Sequence, residues 1–184
     1  PPDWNPFIHI PAGFMKTLTN PNVNWLFKSE PSWGTAGRVI DIPRGKTLGG
    51  SSSINGMVFN RGQNMDFDVW AQKGNNGWSY SDLLPYFKKY EKRLGEYDET
   101  YRGSKGELPI TDLEYRDPLC EAFIKGAIEQ GIPLNKDYNG QFQEGVSYVQ
   151  RTTKGRFRVS ASKAFLKPVR FRQNLDIITD AFVT

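Results

Sequence analysis

Two adjacent glycines, three serines and an Asn-Gly pair fall within Gly49–Gly56, and their types and spacing suit ligand chemistry. Glycines without a Cβ let backbone approach a bulky flat ligand closely. Serine hydroxyls and free N–H groups at a helix start hold phosphate oxygens or a developing anion. Asn55 and Gly56 then place a carboxamide and a bare N–H one turn further on. A tight turn with a serine N-cap accounts for the same residues equally well, because Gly-Ser clusters are common in loops. Two other phosphate loops are excluded. Gly45-Lys46-Thr47 lacks the glycine five positions earlier that a Walker loop requires, position 40 being Ile40, and no GxGxxG occurs in the chain.

Other candidates read more simply as structure. The single histidine, His9, sits between Ile8 and Ile10 and reads as a structural imidazole. Lys88–Arg93 (KKYEKR) reads as the solvated face of a helix whose aromatics turn inward. Arg151–Arg158 (RTTKGRFR) has a basic-plus-aromatic look, but it is short and the net charge is only +4, which argues against nucleic-acid binding. Asp66 and Asp68 are two apart and do not face each other on a helix, so they read as capping and surface groups rather than an acid–base pair. Trp25, Trp33, Trp70 and Trp78 are expected as core anchors. One cysteine, Cys120, excludes an intrachain disulfide and a Cys-rich zinc site, and no metal site is expected.

The elements that must position these residues are mixed. Residues 1–37 read as an extended cover with one short strand near Trp25–Lys28. Arg38–Ile42 reads as a second strand, stopped by Pro43. One of Ser51, Ser52 and Ser53 is expected to cap a helix running through Met57 and Phe59. Asn64 caps a short helix ended by Gly74. Ser79 and Asp82 form a capping box before a helix over Leu83–Lys92, with Tyr86, Phe87 and Tyr90 inward and a kink at Pro85. Leu108–Thr111 is a strand, and Asp117-Pro118 opens a helix ended by Gly131 and Pro133. Gly145–Thr153 alternates like a strand. Ser160 caps a helix stopped by Pro168, and Asn174–Thr184 reads as a strand just begun. This order predicts an α/β to α+β fold.

The 184 residues have no apolar run of membrane-spanning length and no signal-peptide pattern at Pro1–Phe7. The compartment stays open, with a slight lean to the cytoplasm. A start at Pro1-Pro2-Asp3 without methionine predicts an internal piece of a longer protein.

The stretch PRGKTLGGSSSINGMVFNRG (Pro43–Gly62) followed by MDFDVWA resembles the first signature of the glucose–methanol–choline (GMC) oxidoreductase family. The resemblance runs on through NNGWSYSDLLPYFKKYE, YRGSKGELPI, NGQFQEGVSYVQRTTKGRF, SASKAFLKP and NLDIITDAFV, from about Asn24 to the end. It implies an FAD-dependent enzyme that oxidises an alcohol to a carbonyl compound, with a Rossmann-like FAD domain and a substrate domain on an antiparallel sheet. It implies FAD contacts at Ser51, Asn55, Gly56 and Val58, a turn at Gly49 and Gly50, and adenine contact at Val183. Residues 1–72 then belong to the FAD domain, 73–150 begin the substrate domain, and 151–184 return to the FAD domain. Some members link FAD covalently through a histidine just before the asparagine. Ile54 stands there, so dissociable FAD is expected. The family's GxGxxG and catalytic histidine match nothing here, so no catalytic residue is assigned, and the rest of the enzyme is the expected partner. The segment alone is expected to be inactive. Two alternatives stay open: a lyase on the same fold, and a non-catalytic basic binding module.

Overall fold

Several helices in this chain begin where a side chain takes up N–H groups left orphaned at a helix start. Asn5 does so for α1 (Pro6–His9), accepting from the Phe7 N–H at 3.0 Å. A 3₁₀ turn and α2 (Phe14–Thr17) follow, so the cover expected over residues 1–37 is partly helical, with Pro6 and Pro11 at helix starts. Strands β1 (Phe27–Lys28) and β2 (Asp41–Ile42) pair antiparallel, Phe27 opposite Ile42. Both expected strands exist but are shorter, and Pro43 ends the second. The computed structural model describes residues 1–182, so the adenine contact expected at Val183 lies outside the described residues. Two units emerge, Pro1–Met57 with the segment from Thr153, and Val58–Thr152.

In the second unit, α3 (Asn64–Gln72) is capped by Gln63, one residue earlier than expected, with Asp66 closing the box onto the Gln63 N–H at 2.7 Å. The Ser79–Asp82 box holds as expected and opens α4 (Tyr80–Tyr90). Pro85 sits inside α4 without ending it. Phe87 and Tyr90 pack with Phe67, Tyr80 and Phe59 in a chain of edge-on and tilted rings, while Tyr86 points to solvent. Ring burial here supplies the packing that offsets the bond lost at Pro85.

The chain then departs from the sequence reading. Glu91–Arg93 is strand β3, paired in parallel with β4 (Leu108–Ile110), not the solvated end of a helix. Glu91 and Arg93 are buried and Lys92 exposed, the period-two pattern of a strand. Asp117 caps α5 (Pro118–Glu129) from the Leu119 N–H at 2.9 Å, as expected. The alternating stretch forms only isolated bridges over 145–152, Val146 with Leu134 and Arg151 with Thr111 and Val58, before Thr153 enters a paired strand.

The chain returns to the first unit as a hairpin, β5 (Thr153–Lys154) with β6 (Phe157–Arg158). Ser160 accepts from the Lys163 N–H, and one π-helical turn spans Ser162–Leu166. Pro168 lies within a following 3₁₀ turn instead of stopping the helix. No strand forms over residues 174–182. The tryptophans are surface residues, Trp33 being 99% exposed, so they are not core anchors. Apolar burial in the first unit centres on Ile8, Val23 and Ile54. Full burial of each such side chain contributes about 1.5–3 kcal/mol. The architecture is mixed helix and small sheets, as the α/β expectation required at that level.

Candidate functional site

The Gly-Ser segment is held from both ends. Beyond Pro43, the Asn24 carboxamide accepts from the Arg44 N–H at 3.0 Å and the Leu26 N–H at 3.1 Å, and donates to the Leu18 carbonyl at 2.6 Å. Gly45 packs directly against the Gly50 carbonyl, leaving no room for a Cβ. Its N–H donates to Ser51 Oγ at 3.1 Å. Gly49 and Gly50 then turn the chain with φ of 84° and 54°, a left-handed pair that other residues adopt only with strain.

The serines do not cap a continuing α-helix. They form a single 3₁₀ turn, Gly50–Ser53, and Met57 has φ of 64°, which ends any helical path. Two of the hydroxyls pin the turn internally. Ser53 Oγ donates to the Leu48 carbonyl at 2.8 Å. Ser52 Oγ accepts from the Ala161 N–H at 2.9 Å. Ile54 is directed into the apolar centre with Ile8 and Val23.

Asn55 is exposed, yet its oxygen is engaged inward. Oδ1 accepts from Arg158 Nη1 at 2.6 Å and from the Met57 N–H at 3.0 Å. Arg158 itself is buried. Its Nε donates to the Ile8 carbonyl at 2.7 Å and its Nη1 to the Ser52 carbonyl at 3.1 Å. Burial pushes its pKa down to about 10, which leaves it a cation at neutral pH.

The outer side of the turn is open. Ser51, Asn55 and Gly56 are exposed, and a Cβ built on Gly50 or Gly56 meets no atom within 4 Å. The segment just before the turn borders a cavity of about 480 Å³, lined by Trp25, Lys46, Thr47, Leu48 and Phe182 and by none of Gly49–Gly56. Lys46 Nζ lies 5.0 Å from the centre of the Trp25 ring, a cation over an aromatic face. Gly49, Gly50, Ser51, Asn55 and Gly56 thus share one turn. Val58 opens the other unit, exposed and bridged to Arg151. His9 Nε2 lies 2.8 Å from the Asp3 carbonyl, in keeping with its structural reading.

Sequence reasoning missed Arg158, which lies in the basic run Arg151–Arg158. It also missed the polar centre of the Val58–Thr152 unit. There Glu91 receives both Arg61 and Arg102, and Arg102 also reaches Asp137. Asn139 accepts from the Arg61 N–H at 2.8 Å and donates to Gln150 at 2.9 Å. A cavity of about 720 Å³ in this unit is lined by Arg61, Tyr80, Asn139, Phe142 and Gln143 among others. Burial raises the Tyr80 phenol pKa, so it stays protonated at neutral pH. Among the described residues no His, Cys, Asp and Glu cluster forms a metal site. Among the described residues no helix is long and apolar enough to cross a membrane. Four arginines, at 61, 93, 102 and 158, are buried, and Arg61, Arg93 and Arg102 are paired with carboxylates.

Comparison with known proteins agrees with the geometry. The chain is 42% identical over 184 residues to alcohol dehydrogenase (acceptor) of Pseudomonas putida, all of this chain and 33% of that protein. It is 42% identical over 176 residues to oxygen-dependent choline dehydrogenase of Rhizobium johnstonii, 96% of this chain and 32% of that protein. Among solved structures, pyridoxine 4-oxidase from Mesorbium loti superposes with a TM-score of 0.88 at 34% identity, covering 95% of this chain and 35% of that one. An FAD-dependent oxidoreductase from Chaetomium thermophilum gives 0.82 at 28% identity, covering 93% and 31%. The chain therefore spans about a third of the length of the curated relatives it matches. The profile described as GMC oxidoreductase matches residues 9–184, and the chain belongs to that family.

Proposed function

We propose that the Gly49–Gly56 turn holds FAD, and that the chain is the cofactor-holding segment of an enzyme oxidising an alcohol to a carbonyl compound. The observation that carries this reading is the open outer side of the turn, where Gly50 and Gly56 leave room beside the exposed Asn55. A relative named as FAD-dependent, with a TM-score of 0.82, supports the cofactor. The dehydrogenases and oxidases named above favour oxidation over lyase chemistry on the same fold.

When bound, FAD supplies the acceptor for the hydride leaving the alcohol carbon. The chain's own residues bind and orient. Gly49 and Gly50 make the turn, Ser51, Asn55, Gly56 and Val58 contact the cofactor, and Val183 contacts the adenine. The Gly56 N–H is the backbone donor here that would stabilise negative charge on the ring's acceptor edge, as an oxyanion-hole donor does, because the Asn55 N–H is taken by the Ser51 carbonyl at 2.9 Å and the Met57 N–H by the Asn55 oxygen at 3.0 Å. Residues 73–150 begin the substrate wall. The pyrophosphate fingerprint and the general base come from the rest of the enzyme. Ile54 is hydrocarbon and faces the core, so it offers no atom for a covalent link, and the FAD is dissociable.

The test is purification of the longer protein that contains this segment. It is expected to carry a flavin spectrum, to bleach on anaerobic addition of a suitable alcohol, and to release all its yellow colour on acid precipitation. A flavin-free protein that takes up no FAD overturns the reading. Colour left on the precipitate overturns the non-covalent part. Turnover of an alcohol by the isolated 184-residue chain with added FAD overturns the division of labour.

A further inference from the structure

The Asn55 oxygen is fully occupied from inside. It accepts one hydrogen bond from Arg158 Nη1 at 2.6 Å and a second from the Met57 N–H at 3.0 Å. A guanidinium and a backbone N–H are donors only, so the atom facing them must be oxygen. The amide cannot flip without setting its NH₂ group against two donors, one of them charged. The Asn55 nitrogen, which has no hydrogen-bond partner among the described residues, is thereby presented on the exposed side of the turn, beside the open space at Gly56. Arg158 is itself fixed by the Ile8 and Ser52 carbonyls and is 1% exposed. Its Nη2 is buried with no partner. A buried cation with an unused donor is a costly group to keep for packing alone.

We propose that Arg158 is a positioning residue for the cofactor: by holding the Asn55 oxygen from beneath, it turns the Asn55 amide nitrogen outward as a hydrogen-bond donor to the acceptor edge of the flavin ring. This rests on the FAD reading above. A fixed donor at that edge favours the electron-rich reduced ring over the oxidised one. Arg158 acts through Asn55 and touches no reacting atom.

The experiment uses the full-length flavoprotein with Arg158→Met, Asn55→Ala, the double variant and Asn55→Asp. FAD affinity, flavin midpoint potential and apo-protein melting temperature are measured for each. Asn55→Ala is expected to weaken FAD binding about tenfold, the worth of one hydrogen bond, and to move the potential to more negative values. Arg158→Met moves both in the same direction and also lowers the melting temperature. In the double variant FAD affinity falls no more than about twofold below Asn55→Ala, because the two residues act as a unit. Asn55→Asp keeps an oxygen toward Arg158 and loses the outward donor, so it weakens FAD at least as much as alanine. It sits on the surface and keeps the test decisive even where Arg158→Met fails to fold.

Unchanged affinity and potential in both Asn55 variants overturn the proposal. So do losses at Arg158 that add in full to those at Asn55, which mark Arg158 as merely structural. Either result leaves the FAD reading standing, whereas a wild-type protein without flavin overturns that reading and this inference with it.

Discussion

Glu91 and Arg102 meet at 2.7 Å with neither side chain reaching solvent. The same carboxylate also receives Arg61, and Arg102 continues to Asp137. Two cations and two carboxylates therefore balance inside the Val58–Thr152 unit, with Gln150 and Asn139 adding further bonds and Arg61 Nε left without a partner. Removing one member leaves a buried charge without its partner. Glu91→Gln is expected to destabilise the protein by about 3–5 kcal/mol. Chemical denaturation checks this, and a loss below about 1 kcal/mol contradicts the shared-carboxylate account.

Tyr138 tests the polar centre more gently. Its hydroxyl donates to the Phe59 carbonyl at 2.8 Å and accepts from the Gln150 N–H at 2.6 Å. Tyr138→Phe keeps the ring, strands the Gln150 N–H and leaves the Phe59 carbonyl only its 3.2 Å bond from the Asn139 amide, at an expected cost of about 1–3 kcal/mol. Faster amide exchange at Gln150 should accompany the loss of stability.

Two glycines separate fold from cofactor binding. At Gly45 a Cβ runs into the Gly50 carbonyl, so Gly45→Ala should disturb the turn with or without FAD. At Gly56 a Cβ meets no atom of the chain, so Gly56→Ala should leave the apo-protein's melting temperature unchanged. If the flavin lies there, the same methyl weakens FAD binding. Equal FAD affinity in wild type and Gly56→Ala would place the ring elsewhere.

Acid pH acts on the turn at residues 98–101. The Asp98 carboxyl is held below its ordinary range by hydrogen bonds from the Thr100 side chain and from the Thr100 N–H at 2.8 Å. A carboxyl with a depressed folded pKa stabilises the folded state above its unfolded value, and the contribution fades as pH falls through the folded value. NMR titration should show Asp98 ionising below pH 3.8 and shifting upward in Thr100→Ala. An Asp98 titration that ignores Thr100 contradicts the assignment.

Much of this was legible where the signal is local. Asp117-Pro118 and Ser79 with Asp82 announced their helices, because a cap is chemistry between residues two or three apart. The Gly49-Gly50 turn was legible for the same reason, since left-handed backbone selects glycine. The end of Lys88–Arg93 was misread because its composition resembles a solvated helix, while the burial of Glu91 and Arg93 depends on Arg61, Arg102 and β4, partners outside the local run. Trp33 was expected inside because of its size, but no neighbour in the described residues covers it. Arg158 was missed because a charged run gives no sign of which member faces inward.

The Arg158–Asn55 bond also imposes an order on biosynthesis. Asn55 leaves the ribosome 103 residues ahead of Arg158, and Ile8 leaves 150 residues ahead. At ordinary translation speeds the wait for Asn55 is roughly 5–20 s. During that interval the glycines and serines of the turn are all present, yet only the local Met57 N–H, and no charged group, tells the Asn55 amide which way to face. A nascent chain halted before residue 158 carries every residue of the turn and lacks the clasp that orients it.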